Sequence, residues 1–203
     1  MTGRDMEGAW LDLTRPLDAD VAIYREGSYS DPPFTAALWA DRAAQGYEVW
    51  RLTMGTQTGT HIDAPCHFAA GGDTLDKLGA GECVGTFRKV TAGQLAAPGF
   101  RLSGTGETHL LIDARDGAMA APGAVEALLA RPARIVVTVG ALALDHPDPF
   151  RFHRRLAQAG KYLVEDTLGD VGPLPETGEI ITLPPRLVGV SGAPVRVLIR
   201  GGA

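Results

Sequence analysis

Short β-type segments, each bounded by glycine or proline, limit this chain to a fold built around a sheet. These segments alternate apolar and polar residues, or form brief apolar runs rich in Val, Ile and Thr. Strands outnumber helices and alternate with them only in part, which favours a mixed α/β fold with a mixed sheet and a few packed helices. We predict strands in AWLDLT, YEVWRLTM, TFRKVTA, HLLIDA, RIVVTVG, KYLVE, EIITLP and PVRVLIR, and helices in TAALWADRAAQG, APGAVEALLARP and PFRFHRRLAQAG.

The length and the even composition indicate a single domain. The chain has 203 residues, enough for one sizeable core, and it shows no repeat and no shift in composition that would mark a boundary. We predict a flexible N-terminus over residues 1–7, followed by one domain over residues 8–203.

The charge and the apolar runs exclude several classes of partner. The net charge is −5, from 24 acidic and 19 basic residues, so the basic surface that nucleic acids require is absent. The longest apolar run, residues 135–144, is too short to span a membrane, which takes about 18 residues. Because the first residues also lack the apolar core of a secretion signal, we predict a cytoplasmic protein with a small-molecule substrate.

The stretch TQTGTHIDAPCHF carries the strongest chemical signal. It places Gln57, His61, Asp63 and His67 at odd-numbered positions. In a strand, side chains repeat every two residues, so His61 and Asp63 project from one face about 7 Å apart. Imidazole and carboxylate groups at this spacing suit Zn²⁺ or Mn²⁺. The spacing alone also fits ordinary loop residues, because Asp often caps turns and most histidines have no chemical role.

The same stretch resembles a known family motif. Residues 57–67 read QTGTHIDAPCH, close to the motif H-x-G-[TA]-H-x-D-x-P-x-H of the cyclase family that includes bacterial kynurenine formamidase and isatin hydrolase. Only the first position, Gln57, departs from it. The resemblance extends along most of the chain through WLDLTRPL, GALALDHPDPFRFHRRL and YLVEDT, which resemble the family's first strand, the stretch with a metal-binding histidine and the segment with a metal-binding glutamate.

The resemblance implies a fold, a metal site and an assembly. The implied fold is a swivelling β/β/α domain, and the implied assembly is a homodimer or a tetramer. The cofactor would be Zn²⁺ or Mn²⁺, with one or two ions per chain. A first ion would be held at Gln57, His61 and Asp63, and Asp63 would bridge to a second ion. The remaining roles fall to His153 and Glu165 as ligands of the second ion and to His67 as the proton shuttle.

The implied activity is that of a metal-dependent, arylformamidase-like hydrolase. A bound ion lowers the pKa of its water from 15.7 toward about 7, so that hydroxide can attack an aryl-formamide, cyclic amide or lactone carbonyl. His67 would move the proton. Two alternatives remain open: a biosynthetic cyclase or dehydratase that uses the same site, and a non-catalytic relative with an impaired metal site.

Gln57 is the main departure from the family motif. Its amide oxygen is a weaker donor to Zn²⁺ than an imidazole nitrogen. Gln57 could therefore coordinate a harder ion such as Mn²⁺, leave a site with one ion, or turn to the substrate.

Four aromatic residues fit either a substrate pocket or the core. Large aromatic side chains are usually buried, so the core is the expected place for Trp10, Phe34, Trp39 and Trp50.

Overall fold

A nine-stranded mixed sheet forms the centre of the computed structural model, which describes residues 9–104 and 106–202. The predicted flexible N-terminus, residues 1–7, lies outside the described residues. The strands are β1 (Leu11–Asp12), β2 (Arg25–Glu26), β3 (Tyr29–Ser30), β4 (Thr35–Ala40), β5 (Val49–Thr53), β6 (His61–Asp63), β7 (Val84–Thr91), β8 (His109–Asp113), β9 (Met119–Ala120), β10 (Ile135–Val139), β11 (Ala143–Leu144), β12 (Tyr162–Glu165), β13 (Thr177–Leu183), β14 (Gly192–Pro194) and β15 (Arg196–Gly201). The α-helices are α1 (Arg42–Gln45), α2 (Ala92–Ala96), α3 (Ala124–Leu129) and α4 (Arg151–Gln158), and 3-10 helices form at Pro65–His67, Leu75–Lys77 and Ala80–Glu82.

The sheet combines a parallel centre with antiparallel flanks. Its order is β1-β15-β13-β7-β8-β10-β12-β6-β14. Strands β7, β8, β10 and β12 run parallel to one another. On one side of this group β13 runs antiparallel to β7, and on the other side β6 runs antiparallel to β12. Every residue of β8 and β10 is buried, as expected for parallel strands that are covered on both faces. The prediction of a mixed α/β fold with a mixed sheet is confirmed.

Two apolar cores lie on opposite faces of the sheet. Alternate residues of β10 divide between them, with Ile135 and Val137 in the first core and Val136 in the second. Helix α4 covers the second core with Phe152. The first core also contains residues from β15 and β14, which lie toward opposite ends of the sheet order, so the sheet curves around this core.

The predicted helix over TAALWADRAAQG is wrong in its first half. Residues Thr35–Ala40 form β4, which pairs antiparallel with β5 in a separate two-stranded hairpin. Only Arg42–Gln45 is helical, between the N-cap Asp41 and Gly46, whose φ of 79° ends the helix. Pairing with β5 supplies backbone hydrogen bonds to residues 35–40 and overrides the helix propensity of their alanines and leucine.

The other predicted elements are confirmed with small changes of bounds. The remaining strands end within two residues of the predicted positions, and α3 and α4 are shorter than predicted at both ends. Among the helices of the described residues, none has the length and apolar character that a membrane span requires.

Candidate metal centre

Strand β6 carries the centre of the site. It lies between β12 and β14, where His61 pairs with Glu165 and Asp63 pairs with Gly192. Directly paired residues on neighbouring strands project from the same face, so Glu165 stands beside His61 although it follows about a hundred positions later. With strands on both sides, the residues His61 and Asp63 are deeply buried, at 7% and 5% exposure.

Three potential ligand groups converge there. His61 Nε2 lies 3.6 Å from Asp63 Oδ1 and 3.4 Å from Glu165 Oε1. One ligand atom from each of the three residues lies within 4.8 Å of the other two. The second oxygen of Glu165 faces helix α4, where Oε2 lies 3.0 Å from His153 Nε2. The structure thus brings together four of the five predicted ligands at short range.

A glycine turn fixes the orientation of the His61 ring. Gly59 has a φ of +64°, and a Cβ atom there would lie 2.6 Å from Leu17 Cδ2, so this position requires glycine. Its carbonyl oxygen lies 2.8 Å from His61 Nδ1 and accepts the ring proton. Nε2 is therefore the ring nitrogen that faces the carboxylates and that could bind an ion, as in metal-binding histidines.

His67 and Gln57 lie beside the same oxygen of Asp63 that faces His61. His67 Nε2 is 4.0 Å from Asp63 Oδ1, and the His67 side chain is about one-third exposed. Gln57 Nε2 donates to the same oxygen at 3.3 Å. The odd-numbered spacing does not extend the face of His61 and Asp63 to His67, because Pro65 starts a 3-10 helix that turns the chain. The other four predicted site residues nevertheless each lie within 4.0 Å of the carboxylate of Asp63 or Glu165.

The two carboxylates strongly favour a positive charge between them. Burial raises the pKa of Asp63, and the nearby Glu165 raises it further. Burial alone would lower the pKa of His61, but contact with Glu165 and Asp63 raises it to about 9. Burial would also raise the pKa of Glu165, yet hydrogen bonds from His153 and His61 hold it well below its usual range. A protonated His61 imidazole offsets the repulsion between the carboxylates of Asp63 and Glu165. A cation bound between these carboxylates would offset it in the same way.

The donor set fits a divalent ion. One imidazole nitrogen and two carboxylates are ligands that Zn²⁺ and Mn²⁺ accept, and the His61 ring already has the supporting hydrogen bond that such ligands need. In the described residues, His61, Asp63 and Glu165 form the one group of three or more His, Cys, Asp or Glu side chains close enough to share an ion.

Comparison with known proteins assigns the family. The sequence model of the family Cyclase matches residues 11–135. The kynurenine formamidase of Bacillus mycoides (strain KBAB4) is 30% identical, over 94% of this chain and 97% of the relative. The chain belongs to the cyclase family. The resemblance read from the motif is thereby confirmed, together with the class of enzyme that it implied.

Solved structures show that the cyclase-family fold extends over nearly the whole chain. Isatin hydrolase A from Labrenzia aggregata, bound to benzyl benzoate, superposes with a TM-score of 0.74 at 23% identity and covers 96% of this chain and 94% of its own. A protein described as a predicted metal-dependent hydrolase from Bacillus stearothermophilus gives a TM-score of 0.66 at 21% identity, over 94% and 97%.

An aromatic wall beside the cyclase-family site was missed from the sequence. The Phe68 ring lies 4.5 Å from His67, 5.1 Å from His153 and 5.5 Å from Phe150, between ring centroids. Tyr24 contacts Phe150 at 5.9 Å from the loop that precedes β2. Phe68 directly follows the motif and Phe150 directly precedes α4. Their closeness in the sequence to predicted site residues could have indicated that they lie beside the site.

The tryptophans are not where the sequence predicted them. Trp10, Trp39 and Trp50 are 42%, 69% and 53% exposed, so the expectation that they belong to the core is wrong. Trp39 and Trp50 lie on the β4–β5 hairpin, whose strands pair only with each other, and no core covers them within the described residues.

Proposed function

We propose that this protein is a metal-dependent hydrolase that opens an aryl-formamide, a cyclic amide or a lactone. The observation that carries the proposal is the convergence of His61, Asp63 and Glu165 from paired strands, beside a wall of aromatic rings. The names of the relatives, kynurenine formamidase and isatin hydrolase, support a carbonyl substrate attached to an aromatic ring.

We assign the ion to the buried group. His61, Asp63 and Glu165 would hold Zn²⁺ or Mn²⁺, and His153 and Gln57 are the further candidates that the family motif implies. A bound ion supplies a nucleophilic water at neutral pH and an electrophile for the substrate carbonyl. The chain contributes the rigidity of β6, which holds the ligands in place without rearrangement.

His67 is the proposed proton carrier. Its Nε2 atom faces Asp63 Oδ1 at 4.0 Å, and its partial exposure leaves the ring accessible to substrate and solvent. The distance is longer than a hydrogen bond, which is common for catalytic groups before the substrate is bound. A histidine in this position takes a proton from the attacking water and returns it to the leaving nitrogen or oxygen, a contribution of about 10²- to 10⁴-fold in rate.

Phe68 and Phe150 would bind the aromatic part of the substrate. Their rings contact each other and also His153. Stacking on such rings and exclusion of water both favour a flat, apolar substrate. A biosynthetic cyclase or dehydratase reaction could use the same wall, so the assay below includes ring-opening and ring-closing directions.

We further propose a homodimer, or a tetramer built from such dimers, in the cytoplasm. The β4–β5 hairpin exposes Leu38, Trp39, Val49, Trp50 and Leu52. A two-stranded hairpin with an apolar surface is marginal alone in water, and a second copy of this chain offers a surface of matching character. Cys66 and Cys83 are both free thiols, which agrees with a reducing compartment.

The test is hydrolysis measured with a defined ion. The purified protein, loaded with Zn²⁺ or Mn²⁺, is assayed with N-formylkynurenine, isatin and unsaturated lactones, and with the products for the reverse reaction. We expect turnover of at least one aromatic substrate, a loss of about 10³-fold or more for Asp63→Asn, and a loss of about 10²- to 10⁴-fold for His67→Gln with the ion retained.

His146→Gln is the matched control, because His146 is an exposed histidine outside the site. It should leave the rate unchanged. A protein that retains less than about half an equivalent of any transition ion, and that neither Zn²⁺ nor Mn²⁺ activates or stabilises, would refute the hydrolase and favour the non-catalytic alternative.

A further inference from the structure

Both ends of the Gln57 carboxamide are already engaged by the protein. Its Oε1 atom accepts a hydrogen bond from the Thr56 hydroxyl at 2.5 Å. Its Nε2 atom donates to Asp63 Oδ1 at 3.3 Å and to Ser191 Oγ at 3.4 Å. The opposite placement of the amide would direct an oxygen at a carboxylate oxygen, which is repulsive, so the network itself determines which end faces Asp63.

The backbone of β14 holds the amide in this place. A Cβ atom added to Gly192 would lie 2.6 Å from Gln57 Nε2, so the amide packs directly on the glycine backbone. Gly192 is also the residue that pairs with Asp63 across the strands. The amide is therefore confined between β14 and the carboxylate that it contacts.

His61 and His153 differ in the hydrogen bonds that orient their rings. His61 donates from Nδ1 to the Gly59 carbonyl, whereas His153 Nδ1 is buried and has no hydrogen-bond partner among the described residues. Metal-binding histidines almost always donate their second ring nitrogen to an acceptor, because this fixes the tautomer. The His61 ring is thus prepared for an ion and the His153 ring is not.

We infer that Gln57 is a positioning residue that donates a hydrogen bond to Asp63 and does not bind the ion, and that the centre holds one ion per chain, at His61, Asp63 and Glu165. The inference rests on the proposed metal-dependent function and deepens it. Beside Asp63 the further groups are the N–H donor of Gln57 and His67, the proposed proton carrier, and on the outer side of Glu165 the further group is His153 alone. Neither side offers a second complete set of ligands within the described residues.

The experiment measures ion content and ligand field and needs no substrate. The intact protein is loaded with Zn²⁺, Mn²⁺ or Co²⁺, and bound ions per chain are counted by mass spectrometry after dialysis. Wild type should retain about one ion. Gln57→Met, which keeps the length of the side chain and removes the donor, should still bind one ion but with an affinity lower by about 10- to 100-fold. Its Co²⁺ absorption bands should match those of wild type, because the ligands are unchanged.

Gln57→His is the complementary variant, since it replaces the donor with a nitrogen ligand. It should raise the ion content above one per chain, and paired Mn²⁺ ions should then broaden the spin-resonance spectrum. The melting temperature of each ion-free variant separates a folding defect from weakened ion binding. Ser191→Ala, which removes only the weaker contact of the amide, should leave ion content and Co²⁺ bands unchanged.

Two outcomes would overturn the inference while leaving the hydrolase intact: two ions per wild-type chain, or altered Co²⁺ bands in a folded Gln57→Met. A wild-type chain that binds no ion under any of these conditions overturns the hydrolase proposal, and this inference with it.

Discussion

Strand β6 and the β4–β5 hairpin are close in the sequence but opposite in character. All three residues of β6 are buried, whereas every residue of β5 is exposed. Strand β6 pairs on both edges, and the hairpin strands pair only with each other. A strand held on both edges and both faces fixes its side chains well enough to build a site, but a free hairpin needs another surface to complete it.

The strongest way to test this contrast is to remove one buried side chain from β6. Ile62 is fully buried in the first core, between the two site residues of its strand. We expect Ile62→Ala to lower the free energy of unfolding by about 2 to 4 kcal/mol, because the truncation leaves a cavity in a packed core. Urea denaturation measures the loss. A loss as small as that of a hairpin substitution would contradict the rigid role of β6.

A second test uses pH and a histidine in the same sheet. His109 on β8 is fully buried between the hydroxyls of Thr108 and Thr182, and burial lowers its pKa to about 4. The unfolded chain takes up a proton near pH 6.5 and the folded chain does not until about pH 4. The free energy of unfolding should therefore decrease by up to about 3 kcal/mol as the pH falls from 6.5 to 4, because only the unfolded chain binds the His109 proton in this range.

His109→Gln removes this proton while keeping a donor and an acceptor for the two threonines. The difference in unfolding free energy between wild type and the variant should shrink or reverse as the pH falls from 7.5 to 4.5, because only the wild type has His109. The other titrating groups are the same in both proteins, so their contributions cancel. A constant difference across this range would mean that the pKa of His109 is the same in the folded and the unfolded chain.

A third, smaller effect is expected at the end of β12. Asp166 has a φ of 53°, although it is not glycine, and Arg15 holds its carboxylate at 2.7 and 3.1 Å. We expect Asp166→Ala to lower the free energy of unfolding by about 1 to 2 kcal/mol, because alanine adopts the left-handed conformation less readily than aspartate and the partly buried ion pair with Arg15 is lost.

Asp166→Gly provides the control, because glycine accepts this conformation freely while losing the same ion pair. It should be clearly more stable than the alanine variant in thermal denaturation. Equal melting temperatures would mean that the backbone conformation at residue 166 carries no cost.

The smallest effect on stability is expected in the hairpin. Leu52 and Trp50 are more than half exposed, so Leu52→Ser or Trp50→Ser should change the unfolding free energy of a dilute, monomeric sample by less than about 0.5 kcal/mol. Sedimentation at higher concentration should instead show a shift from dimer to monomer. Unchanged association in both variants would remove the hairpin from the proposed interface.

The sequence was most informative where local pattern and burial agree. The strand predicted in RIVVTVG from its run of β-branched residues is present as Ile135–Val139, which is buried throughout. His61 and Asp63 were placed on one face by the period of two, and the structure has them there. In contrast, Thr35–Ala40 contains good helix formers, and its strand conformation depends on a partner that follows only after α1.

The distant part of the site depended on the resemblance. Nothing near Glu165 or His153 in the sequence marks them as partners of β6, because the register of β12 against β6 is set by the whole sheet. The aromatic wall could not be predicted for a similar reason. Phe68, Phe150 and Tyr24 come from three separate segments, and the sequence around an aromatic residue does not indicate which distant residues it will contact.

The pairing of Asp63 with Leu163 and of His61 with Glu165 also sets an order of events in the life of the molecule. These partners are about a hundred positions apart, so a growing chain emerges from the ribosome with its motif complete while the second carboxylate, Glu165, and the imidazole of His153 are still unsynthesised. The binding pocket for an ion forms only once β12 has docked beside β6. Capture of the proposed ion would therefore be a late step of maturation, after the register of β12 against β6 is set.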